Sequence, residues 1–382
     1  MKRVTLVGSG ASAVHFARSA LERGWEVLML DVGRERPAHV LPDASFDGLK
    51  REHPDPIGYF LGRGFEGALL PGAKGEYYGF PPHRQYLFEP AGPFRAEARG
   101  FEPLTSFAQG GLAEAWTGGV FPFNDAELAE YPFGHAELAP FYDLVARRIG
   151  ITGADDDLAA FVPVHAHMDE PLELDEHSRR LAERYAERRA RLNAAGCYVG
   201  RTRSAVLRSD RPGPPARGAC TRSGRCLWGC PRDSIWAPSL ALAELRGHPA
   251  FTYRSGVFVE RFELDDGGRA GAVALLDLAT GAEETLPVER LALGAGTLAS
   301  ARIVLASARR AGVDWTLDGL MDNRQVLVPF VNLGMLGRRH DPDTYQYHQL
   351  ALGLATERPE EYVHGLVTTL KTALVHPIVQ SV

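Results

Sequence analysis

RVTLVGSGASA, residues 3–13, decides the fold. Arg3 to Val7 is apolar enough for a strand, and Gly8, Gly10 and Ala13 follow it in the order G-x-G-x-x-A. Gly8 allows a tight turn off the strand, Gly10 lets backbone approach a pyrophosphate, and Ala13 lets a helix pack close to the sheet. The pattern predicts a helix from Ala13 to about Arg23 and a second strand from Val27 to Leu30, ending at Asp31. The helix N-terminus would offer free N–H groups and a positive dipole end to phosphates, and Asp31 would take a ribose hydroxyl pair. Strand, turn, helix, strand and acid fall in register, so the stretch reads as a dinucleotide grip.

Outward from the grip, the chain of 382 residues suits two domains, or one large domain with an insertion. Its composition, 45% hydrophobic and 24% charged, is that of an ordinary globular protein. A formal net charge of -6 gives no electrostatic reason to expect nucleic acid. No apolar run approaches the length of a membrane span. The first strand begins at residue 3, leaving no room for a cleavable signal, so a cytoplasmic location is the default expectation.

Residues 34–100 are rich in Pro, Gly and Arg and assign poorly. The second glycine-dense stretch runs from Phe107 to Gly119 and contains Gly110, Gly111, Leu112, Trp116 and Gly118. Taken alone it reads as a pair of turns, or as backbone lying against a flat or charged group. Asp125 to Ile151 predicts a helix-rich insertion, and helical sequence returns at 175–193. Phe251 to Tyr253, Val257 to Leu264, Gly271 to Leu278 and Glu284 to Val288 read as a meander of strands. A strand at Arg290 to Leu293, then Gly294-Ala295-Gly296, then a helix from Leu298 to Arg309 look like a return to the opening sheet. Beyond residue 311 the pattern predicts a short strand at Val326 to Val331 and a helix from Pro359 to Leu374. The apolar end, Leu374 to Val379, calls for a packing partner.

Three stretches together resemble the glucose–methanol–choline (GMC) oxidoreductase family: Gly8 to Ala13 with Asp31, Gly110-Gly111-Leu112 through Trp116, and Gly294-Ala295-Gly296 through Ser300 to Ser307. The third departs from the family signature at Ala301, where proline is common, and at Ala308, where glycine is common, which suggests a bacterial branch. The resemblance spans roughly residues 1–380. It implies an α/β chain with a Rossmann-like FAD-binding domain carrying a β-meander insertion, plus an incomplete α+β substrate domain. The expected boundaries are 1–125 and 196–310 for the FAD-binding domain, and 126–195 and 311–382 for the partial substrate or cap domain. It implies that Gly8, Gly10, Ser12, Ala13 and Asp31 hold the ADP part of FAD, that Gly110, Gly111, Leu112 and Trp116 line the route to the flavin, and that Gly294, Gly296 and Ser300 lie near it.

The implied activity is oxidation of a CH–OH group of a sugar, polyol or other alcohol by hydride transfer to flavin. Family members continue for a long further stretch that carries a catalytic His with a second His or Asn, and nothing here matches it. The catalytic residues are therefore unknown, and a positioned base would contribute about two to four powers of ten in rate. Three readings stay open: an enzyme whose companion chain supplies the missing half, a non-catalytic flavin-binding scaffold or partner subunit, and a biosynthetic flavin oxidase acting on a bulky natural product. His348 and His364 fall in the late region, and His165 and His167 could share a strand face.

Three of the four cysteines cluster as Cys220-x5-Cys226-x3-Cys230-Pro231. The spacing is ferredoxin-like with Ser223 in place of one cysteine, and three thiolates suit a 3Fe-4S cluster. Bacterial FAD-dependent sugar dehydrogenases of the GMC family look similar at this loop. Buried thiols around a core Trp228, or a zinc lacking its fourth ligand, are the alternatives.

Overall fold

Strand β1 (Arg3–Val7) buries four of its five residues, as the apolar run Val4 to Val7 requires of a strand covered on both faces. A computed structural model describes residues 2–38, 40–65, 67, 81–100, 103–321, 326, 328–338 and 341–369. The elements after β1 are α1 (Ala11–Glu22), β2 (Glu26–Leu30), α2 (Phe46–Glu52), α3 (Pro56–Leu61), α4 (His135–Ile149), α5 (Glu176–Ala194) and β3 (Cys197–Arg201). Then come α6 (Pro238–Arg246), β4 (Phe251–Arg254), β5 (Val257–Leu264), β6 (Ala270–Asp277), β7 (Glu283–Pro287), β8 (Leu291–Leu293), α7 (Thr297–Arg310), β9 (His348–Leu354) and β10 (Val363–Thr368). Among the described residues no helix is long and apolar enough to cross a membrane.

The chain forms two compact units. The first comprises residues 1–39, 83–116 and 237–328. Its main sheet is four-stranded and parallel, in the order β4-β2-β1-β8. Helix α1 lays Ala13, Val14, Ala17, Ala20 and Leu21 inward, the i, i+3, i+4 spacing of one helical stripe. A second sheet, β5-β6-β7, is antiparallel. Val7 and Leu30 join Val257, Val259, Val273, Leu275 and Ile303 in one apolar core.

The second unit comprises residues 40–82, 117–236 and 329–382. It is α+β, with an antiparallel sheet in the order β10-β9-β3. An aromatic core gathers Phe46, Tyr59, Phe60 and Trp228, with the Trp228 ring 5.3 Å from Phe46 and 5.1 Å from Phe60.

The α/β architecture with a β-meander is the one expected, and several details differ. Residues 40–82, 117–125 and 196–236 fold with the second unit, whereas the sequence pattern groups them with the first. The strand at 251–254 belongs to the parallel sheet, beside β2, and not to the meander. Residues 328–331 are not a strand. In place of the helix expected from Pro359, a 3-10 turn at Pro359–Glu361 leads into β10. Val363, Val367 and Thr368 are β-branched and Gly365 lies between them, a composition that favours an extended partner for β9 over a helix. The rest of that expected helix, from residue 370, and the apolar end at Leu374 to Val379 lie outside the described residues.

Candidate functional site

At the C-terminal ends of β1, β2 and β8 the first unit encloses a cavity of about 420 Å³. Its wall includes three glycine-bearing stretches: Gly8 to Ser12, Gly110 to Ala113 and Gly294 to Ala299. Gly8 has φ +97°, and a Cβ there would sit 2.5 Å from the Gly294 carbonyl oxygen, so no other residue fits. A Cβ on Gly294 would in turn meet the Ala13 Cβ at 2.8 Å. Ala13 does not line the cavity. It is buried behind the turn, where its small side chain sets how close β8 and α1 approach.

Two helices begin at this wall. Gly10 precedes α1 and Gly296 precedes α7, and neither start carries a side-chain cap. Their first N–H groups are left without intrahelical acceptors, and both dipoles present their positive ends. Such a wall suits an anionic group.

Asp31 sits just past the end of β2, on the cavity wall. Its carboxylate accepts the hydroxyls of Ser9 and, at 3.0 Å, Tyr253. Burial pushes its pKa up from 3.8 to about 6, against the lowering effect of those hydroxyls and of the backbone N–H groups of Gly33 and Val32. Ser9 Oγ also accepts the Gly110 N–H at 2.9 Å, which ties the first glycine turn to the second. The second turn is held from behind as well. Arg34 pairs with Ala108 as a bridge, and the Glu114 carboxylate accepts the N–H and hydroxyl of Ser239, both at 2.8 Å, at the start of α6.

Of the residues singled out by sequence, Gly8, Gly10, Ser12, Asp31, Gly110, Gly111, Leu112, Gly294 and Gly296 share this one cavity. Trp116 and Ser300 do not line it; Ser300 N donates to Gly296 O inside α7. Ser9, Tyr253, Phe258 and Arg302 were missed. Arg302 lines the cavity with its guanidinium 4.5 Å over the Phe258 ring and an N–H donated to Val259 O at 2.7 Å. No spacing rule marks a serine between two glycines or an arginine within a helix, so only the folded register identifies them.

In the second unit, His348 engages Thr117 Oγ1 at 2.7 Å and Thr368 Oγ1 at 3.1 Å through its two ring nitrogens. Burial and the nearby His364 push its pKa down to about 4. His364 lies edge-on to Phe121 at 4.3 Å, and burial lowers its pKa also. His165 is buried, whereas His167 is exposed and meets Arg147 at 2.6 Å, so the two imidazoles do not form a paired ligand face.

The cysteine stretch does not fit a cluster. Among the described residues no group of three or more His, Cys, Asp or Glu is set to hold a metal ion. Cys220 and Cys226 pack against Val206, Tyr345 and Tyr347. Burial pushes the Cys220 thiol up to about 11 and Cys226 further still. Cys230 Sγ is engaged by Ser234 through the N–H at 3.4 Å and the hydroxyl at 3.5 Å. The loop serves packing: Trp228 is 1% exposed, and the equally buried Arg225 donates to Tyr59 OH at 2.6 Å and to Gly229 O at 3.2 Å. The 3Fe-4S expectation for Cys220, Cys226 and Cys230 finds no support among the described residues, where the three are half-buried thiols.

The parallel sheet, the glycine wall and the acid past β2 define the class, an α/β protein with a dinucleotide-type cavity. Within that class the chain is similar in sequence to two oxidases. No family model matches it. It is 27% identical over 310 residues to 6'''-hydroxyparomomycin C oxidase of Streptomyces lividus, covering 80% of this chain and 50% of that protein. It is 26% identical over 314 residues to paromamine 6'-oxidase of Streptomyces fradiae, covering 80% of this chain and 49% of that protein. The chain thus spans about half the length of the curated relatives it matches. Among solved structures, pyridoxine 4-oxidase from Mesorbium loti superposes with TM-score 0.45 at 14% identity, over 96% of this chain and 65% of that one.

Proposed function

We propose that this chain is the FAD-binding half of a flavin-dependent oxidoreductase that oxidises a CH–OH group of a small molecule. The observation that carries the reading is the single cavity into which three glycine stretches, two uncapped helix starts and Asp31 converge. The residues suit FAD. The backbone at Gly8 leaves no room for a side chain, and the starts of α1 and α7 give N–H donors for a pyrophosphate. Asp31 is the acceptor for a ribose, and Gly110, Gly111 and Leu112 the wall along which the flavin end would run. When bound, FAD supplies the hydride acceptor. The chain's own residues then bind, orient and exclude water, with Ser9 keeping the two glycine turns in one arrangement.

The substrate reading rests on the relatives, both named as oxidases of paromamine-type compounds. It favours a bulky polyhydroxylated natural product over a simple sugar. The base that takes the hydroxyl proton is proposed to lie on a companion polypeptide equivalent to the other half of those relatives. His348 is a poor candidate, since both its ring nitrogens are engaged. A companion would also cover the apolar side chains that the first unit leaves exposed at Trp315, Leu317 and Leu320.

The test is a titration of the purified chain with FAD, read by quenching of flavin fluorescence and by the thermal midpoint. Micromolar binding with a raised midpoint is expected. A chain that takes up no FAD, and whose midpoint FAD leaves unmoved, sinks the reading.

A further inference from the structure

Among the described residues two charged side chains stand on the wall of the first unit's cavity, Asp31 and Arg302. Asp31 has a part in the proposed function, and Arg302 has none. Arg302 lies in the second turn of α7, six residues past Gly296, which is about 9 Å along the axis. A diphosphate held by the first turn of α7 would end short of it. Val257 N donates to Asp31 O at 3.1 Å, so β5 begins beside the acid and carries Phe258 and Val259 along the wall. There the wall made by Val257, Phe258, Val259, Arg302 and Ile303 is apolar apart from Arg302, a setting that suits a flat and uncharged part of a ligand.

The Arg302 guanidinium has a ring behind it. Phe258 is 3% exposed, and its ring centre stands 4.5 Å from the guanidinium carbon and 6.1 Å from the Phe107 ring. Arg302 Nη2 donates to Val259 O at 2.7 Å, which fixes the group over the ring, and Nε is enclosed. Its charge is already met, by the Phe258 ring face and by the field of the Glu260 carboxylate. What remains for the cavity is a planar surface on a fixed backing.

We infer that Arg302 binds the adenine of the dinucleotide by stacking, with Phe258, the guanidinium and the purine as three layers and Val259 O holding the middle one. Arginine suits the place because its guanidinium is planar and weakly hydrated, whereas a lysine ammonium is compact and strongly hydrated. Bases do stack on guanidinium planes. The inference rests on the FAD reading for the places of ribose and diphosphate, and it adds a residue that favours a purine over a pyrimidine.

The experiment is a calorimetric titration of the full chain and of Arg302→Lys with ADP and with UDP, which differ only in the base. The unaltered chain should prefer ADP by about tenfold or more, because the larger base covers more of the plane. Arg302→Lys keeps a positive charge and a donor but has no plane. It should fold normally by circular dichroism, bind UDP almost as before, and lose most of the preference for ADP. An unchanged ratio of the two affinities overturns the inference. A second measurement needs no variant: 2-azido-ADP, after irradiation, should label residues 257–259 or 299–303, and labelling confined to other parts of the wall also overturns it. Titration of both proteins with FAD separates this inference from the reading beneath it. Binding of FAD by the unaltered chain, with an unchanged ADP-to-UDP ratio in the variant, removes the role of Arg302 and leaves the FAD reading in place. A chain that takes up neither FAD nor ADP overturns both.

Discussion

Asp31 is the residue on which fold and proposed function pull in opposite directions. Its pKa in the fold, about 6, lies above its ordinary value of 3.8. A raised value means that its stabilising share is complete below about pH 4 and is lost as pH climbs through 6. At neutral pH the ligand-free protein therefore carries a strained, ionised carboxylate, and a ribose hydroxyl pair would relieve it. Asp31→Asn should raise the thermal midpoint of the ligand-free protein at pH 7 by the equivalent of on the order of 1–3 kcal/mol. The difference from wild type should shrink toward pH 4, and FAD affinity should fall at least tenfold. A pH-independent difference, or undiminished FAD affinity, would contradict the role given to Asp31. Gly8, Gly10 and Asp31 could be read directly from the sequence because one turn chemistry demands them. Ser9 and Tyr253 could not, since their value lies in meeting Asp31 across 22 and 222 residues of chain.

Helix α6 shows the same limit at the level of an element. Its N-cap is Ala237, which has no side-chain acceptor, and its cap comes from Glu114 on a distant 3-10 turn. A carboxylate at a helix start is favoured by the dipole and by the orphan N–H groups there. Burial nonetheless raises the Glu114 pKa above the usual carboxylate range. Glu114→Ala should destabilise the protein by about 1–3 kcal/mol in a denaturant titration, because it uncaps α6 and strips Ser239 of its partner. Glu114→Gln, which keeps an acceptor, should lose less than half of that. Equal losses in the two variants would show that the contact matters only as filled volume. The β10 strand escapes the sequence pattern for a related reason. A short segment with no strong period takes the form its neighbour offers, and β9 offers hydrogen bonds along Val363 to Val367.

For the whole molecule, the relatives are about twice as long as the aligned portion. The expectation is a clean separation of binding from turnover. The chain alone should bind FAD but, with paromamine or other polyhydroxylated alcohols under anaerobic conditions, should leave the oxidised-flavin absorbance intact. Co-expression with a polypeptide matching the relatives' second half should restore bleaching. Substrate-dependent bleaching by the chain alone would remove the need for a companion. The parallel sheet and the meander could be read in the sequence, because periodicity and turn residues are local properties. The segment boundaries of the two units could not, because each unit is assembled from three separate segments.

That discontinuity also bears on how the protein matures. The Gly8 turn is complete only when Gly294 lies against it, and β1 gains its second neighbour only when Thr5 to Val7 pair with Leu291 to Leu293. A nascent chain that has left the ribosome as far as α6 therefore holds the whole fingerprint and no cavity. Until β8 arrives, the apolar edge of β1 must be kept from wrong partners. On the proposed function, loading with FAD would be a late event in biosynthesis, and a truncation before residue 291 would lose the cavity while keeping every residue of the first glycine motif.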